Sequence, residues 1–365
     1  MKTDRYMGEM NYTWKKSVNT WKSIFGKKIR VLCAMLVFMA FFAGCAAEPG
    51  EIAAEDEKLQ ILCTTFPLYD WTRQVTAGCE DSIEVSLLMD QGTDPHNYQP
   101  TTEDIIRMTE ADIIVYVGGE SDLWMEDVLT SIPEERREMQ KYLNMMEVLG
   151  SSLREEEHTE GMQETSEGQA HGEADAGDEM HTDGTEYDEH IWLSVRNASV
   201  CVQAVADAVA DLEESVRLKV AENAGEYLAK LENLDGEYET TVLEAPFHRV
   251  LFADRFPFLY LMKDYGLEYD AAFPGCSTET EASFETVIYL AGRLEEYHLP
   301  AVLVMENGDR RIAETVIANT ADKDQSILVL NSMQSVTAAD IEQGVTYLSI
   351  MRENLAVLQE ALAYE

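Results

Sequence analysis

The chain has 365 residues, room for about two domains of ordinary size, and its 45% hydrophobic content supplies core for most of it. It carries 69 acidic against 27 basic residues, a formal net charge of −42. Such a surface repels phosphate backbones, which excludes nucleic acid as a partner, and it attracts cations.

At the N-terminus, Lys15, Lys16, Lys22, Lys27, Lys28 and Arg30 lead into an apolar run over residues 31–42. That run is short for a bilayer span and suits the core of a signal peptide. It ends in Phe42-Ala43-Gly44-Cys45, which resembles a bacterial lipobox with Phe42 in the place of the usual Leu. On this reading residues 1–44 are a signal peptide, Cys45 is lipidated, and residues 45–57 are a loose tether. The alternative is an ordinary signal peptide or a short membrane anchor. Cys63, Cys79, Cys201 and Cys276 lack CxxC spacing, which argues against a thiolate zinc knuckle and leaves free thiols or one disulfide.

A strand is expected over residues 59–66, then a helix with Trp71 and Val75 on its inner side, then a strand over 83–89. A helix over 102–108 precedes a strand over 111–117, which ends at Gly118-Gly119-Glu120-Ser121; the next helix covers 124–131. Strand alternating with helix predicts a parallel sheet. Residues 151–190 hold 14 acidic residues, four His and a single basic residue, Arg154, so a mobile loop is expected there. Residues 198–243 read as helical, with Gly225 and Gly236 dividing the tract into two helices, the second long. The pattern then restarts: strand 249–252, helix 256–265 closed by Gly266, strand 269–273, helix 284–297, strand 301–305, a helix through Ile317, strand 327–330 and a closing helix over 347–364. The fold class is therefore α/β, with two lobes of parallel sheet flanked by helices. An N-terminal lobe (58–215) and a C-terminal lobe (245–365) are joined by a linking helix (216–244), with a cleft between them where a ligand would bind.

Seven histidines are present. His96 lies in Pro95-His96-Asn97-Tyr98-Gln99-Pro100, a loop whose two prolines stiffen it and hold the imidazole. His190 lies in Asp188-Glu189-His190-Ile191-Trp192-Leu193, where the acidic stretch returns to core. The chain has no HExxH, GxSxG, Walker loop or GxGxxG after a strand, so an enzyme is not expected.

These two motifs resemble the ligand loops of the bacterial substrate-binding lipoproteins of zinc and manganese ABC importers. An intervening His- and acid-rich segment, here with His158, His171 and His181, and the ending Tyr347-Leu348-x-x-Met351-x-x-Asn354-Leu355 are similar to that family as well. The resemblance runs from about Leu59 to the C-terminus. It implies metal held between two α/β lobes by His96 and His190, with no catalysis. It also implies a third ligand before a helix ending in Tyr265-Gly266-Leu267. The aligned residue is Arg255, which cannot ligate a cation, so its neighbour Asp254 is expected to serve. Glu279, Glu281 or a water would complete the site. Two imidazoles and one carboxylate suit zinc, with manganese the alternative. The segment with His158, His171 and His181 would collect metal. Partners implied are the permease and ATPase of an importer. The protein would be a monomer on the extracellular face of a bacterial membrane, held by its lipid. An adhesion lipoprotein with an incidental metal site is a further reading.

Overall fold

The structure, a computed structural model, describes residues 58–163, 186–277 and 281–363. The expected signal peptide, the lipidated Cys45, His171, His181 and Glu279 lie outside these residues. The body that begins at Lys58 is compact.

Two four-stranded sheets, all of whose pairings are parallel, form its frame. The first is ordered β2-β1-β3-β4, from β1 (Leu59–Cys63), β2 (Ile83–Leu87), β3 (Ile113–Tyr116) and β4 (Lys141–Asn144). The second repeats the order as β6-β5-β7-β8, from β5 (Arg249–Phe256), β6 (Glu268–Pro274), β7 (Ala301–Met305) and β8 (Ser326–Leu330). The central strands β3 and β7 are almost wholly apolar because both faces are covered. In β1, Ile61 and Cys63 face one cluster and Leu62 another; in β7, Ala301, Leu303 and Met305 separate from Val302 and Val304 in the same way. The inner faces of both sheets join a single cluster that runs through Trp71, Tyr238, Phe252 and Tyr347. Each outer face has its own smaller cluster.

In the first lobe, α1 (Phe66–Val75), α2 (Thr102–Glu110), α3 (Trp124–Ser131), α4 (Glu134–Arg137), α5 (Met145–Leu149) and α6 (Val195–Leu212) cover the sheet. α2 starts on a reciprocal capping box between Thr101 and Asp104, which satisfies two of its free donors. α7 (Arg217–Glu244) has 28 residues, about 42 Å of helix. It packs on α1 and α6, and on the closing helix α12 (Tyr347–Ala361). The second lobe adds α8 (Leu259–Tyr265), α9 (Phe284–Tyr297), α10 (Arg310–Ala318) and α11 (Ala338–Glu342).

Several expectations change: β1 stops at Cys63 and Phe66 already opens a helix, and β5 runs on to Phe256, so the next helix starts at Leu259. The helical tract divides at residues 213–216, where the Glu213 carboxylate accepts from Ser215 N at 3.1 Å, and not at Gly225 or Gly236, which sit exposed inside α7. Of the stretch expected as a mobile loop over 151–190, residues 151–163 and 186–190 pack on the folded body, and residues 164–185 lie outside the described residues. Glu155 and Tyr187 form an antiparallel bridge, and Arg154 N donates to Tyr260 Oη at 3.1 Å. Gln163 N donates to Ala272 O at 2.9 Å. On the returning side, Tyr260 Oη donates to Asp188 O at 2.9 Å, so Arg154, Gln163 and Asp188 all contact the second lobe.

Candidate metal centre

The C-terminal ends of the parallel strands supply most of the site, as expected for open α/β sheets. The loop after β2 bears His96, the loop after β3 bears Ser121, the turn after β6 bears Cys276, and the segment after β8 bears Gln334. His190 comes from the return of the acidic segment, just before α6.

His96 sits in a single 3-10 turn, Pro95–Asn97. Asp94 caps the turn: its Oδ1 accepts from His96 N at 3.1 Å, and Pro95 fixes the backbone between them. The loop is also tied to the second lobe, since Ala338 N donates to Asp90 O at 2.8 Å and Gln91 bridges to Thr337. Ser121 Oγ stands 2.6 Å from His96 Nδ1. Ser121 is held in turn by its own N–H, which donates to Glu189 Oε1 at 2.9 Å.

His190 is fully buried, and its backbone N–H donates to Asp188 Oδ1 at 2.8 Å. The same oxygen lies 3.2 Å from His190 Nδ1. An ionised carboxylate only accepts, so Nδ1 carries a hydrogen and Nε2 is left as the free ring position. Trp192, two residues on, donates from Nε1 to Ser332 O at 2.8 Å, and its carbonyl accepts from Tyr347 Oη at 2.8 Å.

The two rings converge tip to tip. His96 Nε2 and His190 Nε2 are 3.1 Å apart, with ring centroids at 5.2 Å. Two nitrogens on one tetrahedral zinc, each about 2.0–2.1 Å from it, stand about 3.3 Å apart, so the spacing suits a shared ion. The Gln334 amide is within 3.2 Å of His96 Nε2 and 2.8 Å of His190 Nε2.

Electrostatics separate the two imidazoles. Burial, with His190 beside it, pushes His96 down to about 3, so it is neutral and able to ligate. Burial pulls His190 in the same direction, but the Asp188 carboxylate outweighs it and its pKa is raised. Burial also pushes Glu189 up to about 7, against the opposing hydrogen bonds from Ser121. Acids therefore surround the rings and favour a cation between them.

Cys276 is the residue that sequence reasoning missed. Its sulfur and one ring nitrogen each of His96 and His190 all lie within 4.8 Å of one another. Burial, with Glu156, Glu189, Asp188 and Glu120 adding to it, pushes the thiol well above its ordinary range. Cys63, Cys79, Cys201 and Cys276 are all free thiols, so the expected alternative of one disulfide does not arise among the described residues. The only signal available beforehand was the Gly275-Cys276 pair. A Cβ at Gly275 would stand 3.0 Å from His190 Cε1 and 2.9 Å from Phe256 O, so the chain passes His190 there too closely for a side chain.

Asp254, expected as the third ligand, does not join them. Its Oδ1 accepts from Arg255 N at 2.8 Å and its Oδ2 from Met305 N at 3.0 Å, which uses the carboxylate to tie β5 to the end of β7. It lines a separate cavity of about 330 Å³ with Asp94, Asn97, Arg255 and Asp309. His158 is exposed and stands apart from the His pair's donor group.

The family described as ZnuA, zinc-uptake complex component A, periplasmic, matches residues 61–361. The zinc-binding lipoprotein AdcA of Streptococcus pneumoniae is 29% identical over 341 residues, which is 93% of this chain and 62% of that protein. This chain thus spans less than two thirds of the AdcA length. The high-affinity zinc uptake system protein ZnuA of Bacillus subtilis is 26% identical over 345 residues, 94% of this chain and 98% of that one. The crystal structure of the Zn(II)-bound ZnuA-like domain of pneumococcal AdcA has a TM-score of 0.63 at 24% identity, covering 84% of this chain and 99% of that one, a likeness of fold. With two lobes of parallel sheet and a His pair between them, the chain belongs to the ZnuA family of periplasmic zinc-uptake components.

Proposed function

We propose that this chain is the extracytoplasmic receptor of an ABC importer, which captures zinc between its lobes and presents it to a membrane permease and its ATPase. The observation that carries the reading is the 3.1 Å approach of His96 Nε2 to His190 Nε2 between the two lobes. Each ring has a partner at Nδ1 that turns Nε2 toward the other. Two ring nitrogens so opposed can share a cation between them once neither carries a proton. Zinc is favoured over manganese because the converging donors are imidazoles with few carboxylates, and because the relatives above are named for zinc. The role is one of binding and release, without catalysis. Lipidation at Cys45 would keep the receptor at the outer face of the membrane, next to the importer.

The test is elemental analysis and native mass spectrometry of the purified mature chain. One zinc per chain is expected, and none in the His96→Ala, His190→Ala double variant. A wild-type sample that takes up no divalent metal would refute the reading.

A further inference from the structure

We propose that Cys276 is the third metal ligand, so that the chain grips its ion through two imidazoles and one thiolate. This assignment rests on the metal-capture reading above and specifies the chemistry of that site. The donor atoms of Cys276, His96 and His190 already lie within 4.8 Å of one another. A tetrahedral zinc with Zn–N of about 2.0–2.1 Å and Zn–S of about 2.3 Å sets its N···S edges near about 3.6 Å. Closing the group by about an ångström therefore seats the ion.

The sulfur is positioned by its surroundings. Gly275 lets the chain run against the His190 ring, where a Cβ would stand 3.0 Å from Cε1. Glu156 accepts from the backbone N–H of Cys276, and its Oε1 is buried with no hydrogen-bond partner among the described residues. Glu156, Asp188, Glu189 and Glu120 set a negative field around the sulfur. Four acids gathered about the sulfur suit a cation at this spot. On capture the thiol proton leaves to water and the sulfur lone pair goes to the metal. Three other candidates are engaged elsewhere or are poor ligands. Asp254 is occupied by two backbone N–H groups, Arg255 is a cation paired with Asp94, and Gln334 offers a neutral amide.

The consequence is selectivity. Thiolate is a soft donor that suits zinc and ranks poorly for manganese, which prefers carboxylate oxygens. A His-His-Cys set with an amide beside it would thus reject manganese by donor type, without needing a different cavity.

The experiment is to load the purified wild-type chain with Co²⁺ and record its absorption spectrum. A thiolate-to-cobalt charge-transfer band in the near ultraviolet is expected. The Cys276→Ser variant should still bind Co²⁺, lose that band, and hold zinc at least about tenfold more weakly. Cys276→Asp should narrow the preference for zinc over manganese. Bound Co²⁺ showing only ligand-field bands, or a charge-transfer band that persists in Cys276→Ser, overturns the thiolate assignment while leaving the His pair in place. Failure of the wild-type chain to bind Co²⁺ or zinc at all overturns it together with the capture reading.

Discussion

Arg255 Nη1 stands 2.9 Å from Asp94 Oδ2, while the other oxygen of Asp94 accepts from the backbone N–H of His96. A cation of the second lobe thus braces the turn that carries a metal-facing imidazole of the first. Both partners are about one-fifth exposed, so the pair is only partly screened. Arg255→Ala is expected to lower stability by roughly 1–2 kcal/mol and to weaken zinc about three- to tenfold. Calorimetric titration with zinc and a denaturant melt of the same sample check both numbers. Unchanged zinc affinity would mean that the turn holds its geometry without the brace.

Asp188 orients the other ring. Asp188→Asn removes the charge that fixes the proton on His190 Nδ1, and zinc should bind about 10- to 100-fold more weakly. The backbone bond from His190 N can survive on the amide oxygen, so the far-ultraviolet dichroism should not change. An affinity within twofold of wild type would show that the carboxylate does not tune the ring.

Asp122 gives the metal-free protein a pH dependence. It is buried, accepts from Gly118 N at 2.9 Å, and burial pushes it up to about 6 from 3.8. Its folded value lies above its unfolded one, so the native state holds the proton more tightly. The stability it contributes is full below about pH 4 and is lost as pH rises through 6, by at most about 3 kcal/mol. Glu189, pushed up to about 7, acts in the same direction. Denaturant melts between pH 4 and 7 should show a shallower decline in Asp122→Asn, with the part due to Glu189 remaining. An unchanged slope would show that Asp122 ionises normally in the fold.

Gly225 and Gly236 lie exposed within α7, and a Cβ at either meets nothing within 4 Å. Gly225→Ala and Gly236→Ala should each stabilise the protein by about 0.5–1 kcal/mol. The two sites are about 16 Å apart along the helix, so the gains should add. Thermal melts of the single and double variants measure this directly, and a loss of stability would indicate that the helix must be weak there.

Residues 164–185 carry seven acids together with His171 and His181. Deleting them leaves the flanking residues, including Glu156 and Asp188, in place. We expect unchanged stoichiometry and affinity near one zinc per chain, with slower loading at low metal and low salt. Stopped-flow mixing with limiting zinc tests this, and equal rates would leave the segment without a role in loading.

Much of the fold was legible because its strands are short apolar runs buried on both faces. Residues 301–305 and 284–297 are read from the sequence with the bounds that the structure gives β7 and α9. β4, Lys141–Asn144, was not expected because its polar edge sequence carries no such run. The break before α7 was misplaced because glycine weakens a helix without ending one when tertiary packing supports it. His96 and His190 were legible through their motifs. Asp254 was a reasonable substitute for Arg255 by position, but two backbone donors at the ends of β5 and β7 use its oxygens. Cys276 could not be found by spacing, since its partners lie 180 and 86 residues away in the chain and meet only after both sheets have formed.

Trp192 has one further consequence. Its indole ends on Ser332 and its carbonyl on Tyr347, so the stretch beginning at His190 is bolted at once to the far lobe and to the closing helix. An imidazole on so stiff a mount has little room to swing outward. His96 is held as well, by the Asp94 cap and the Arg255 ion pair behind its three-residue turn, so neither ring would have to be ordered by an arriving ion.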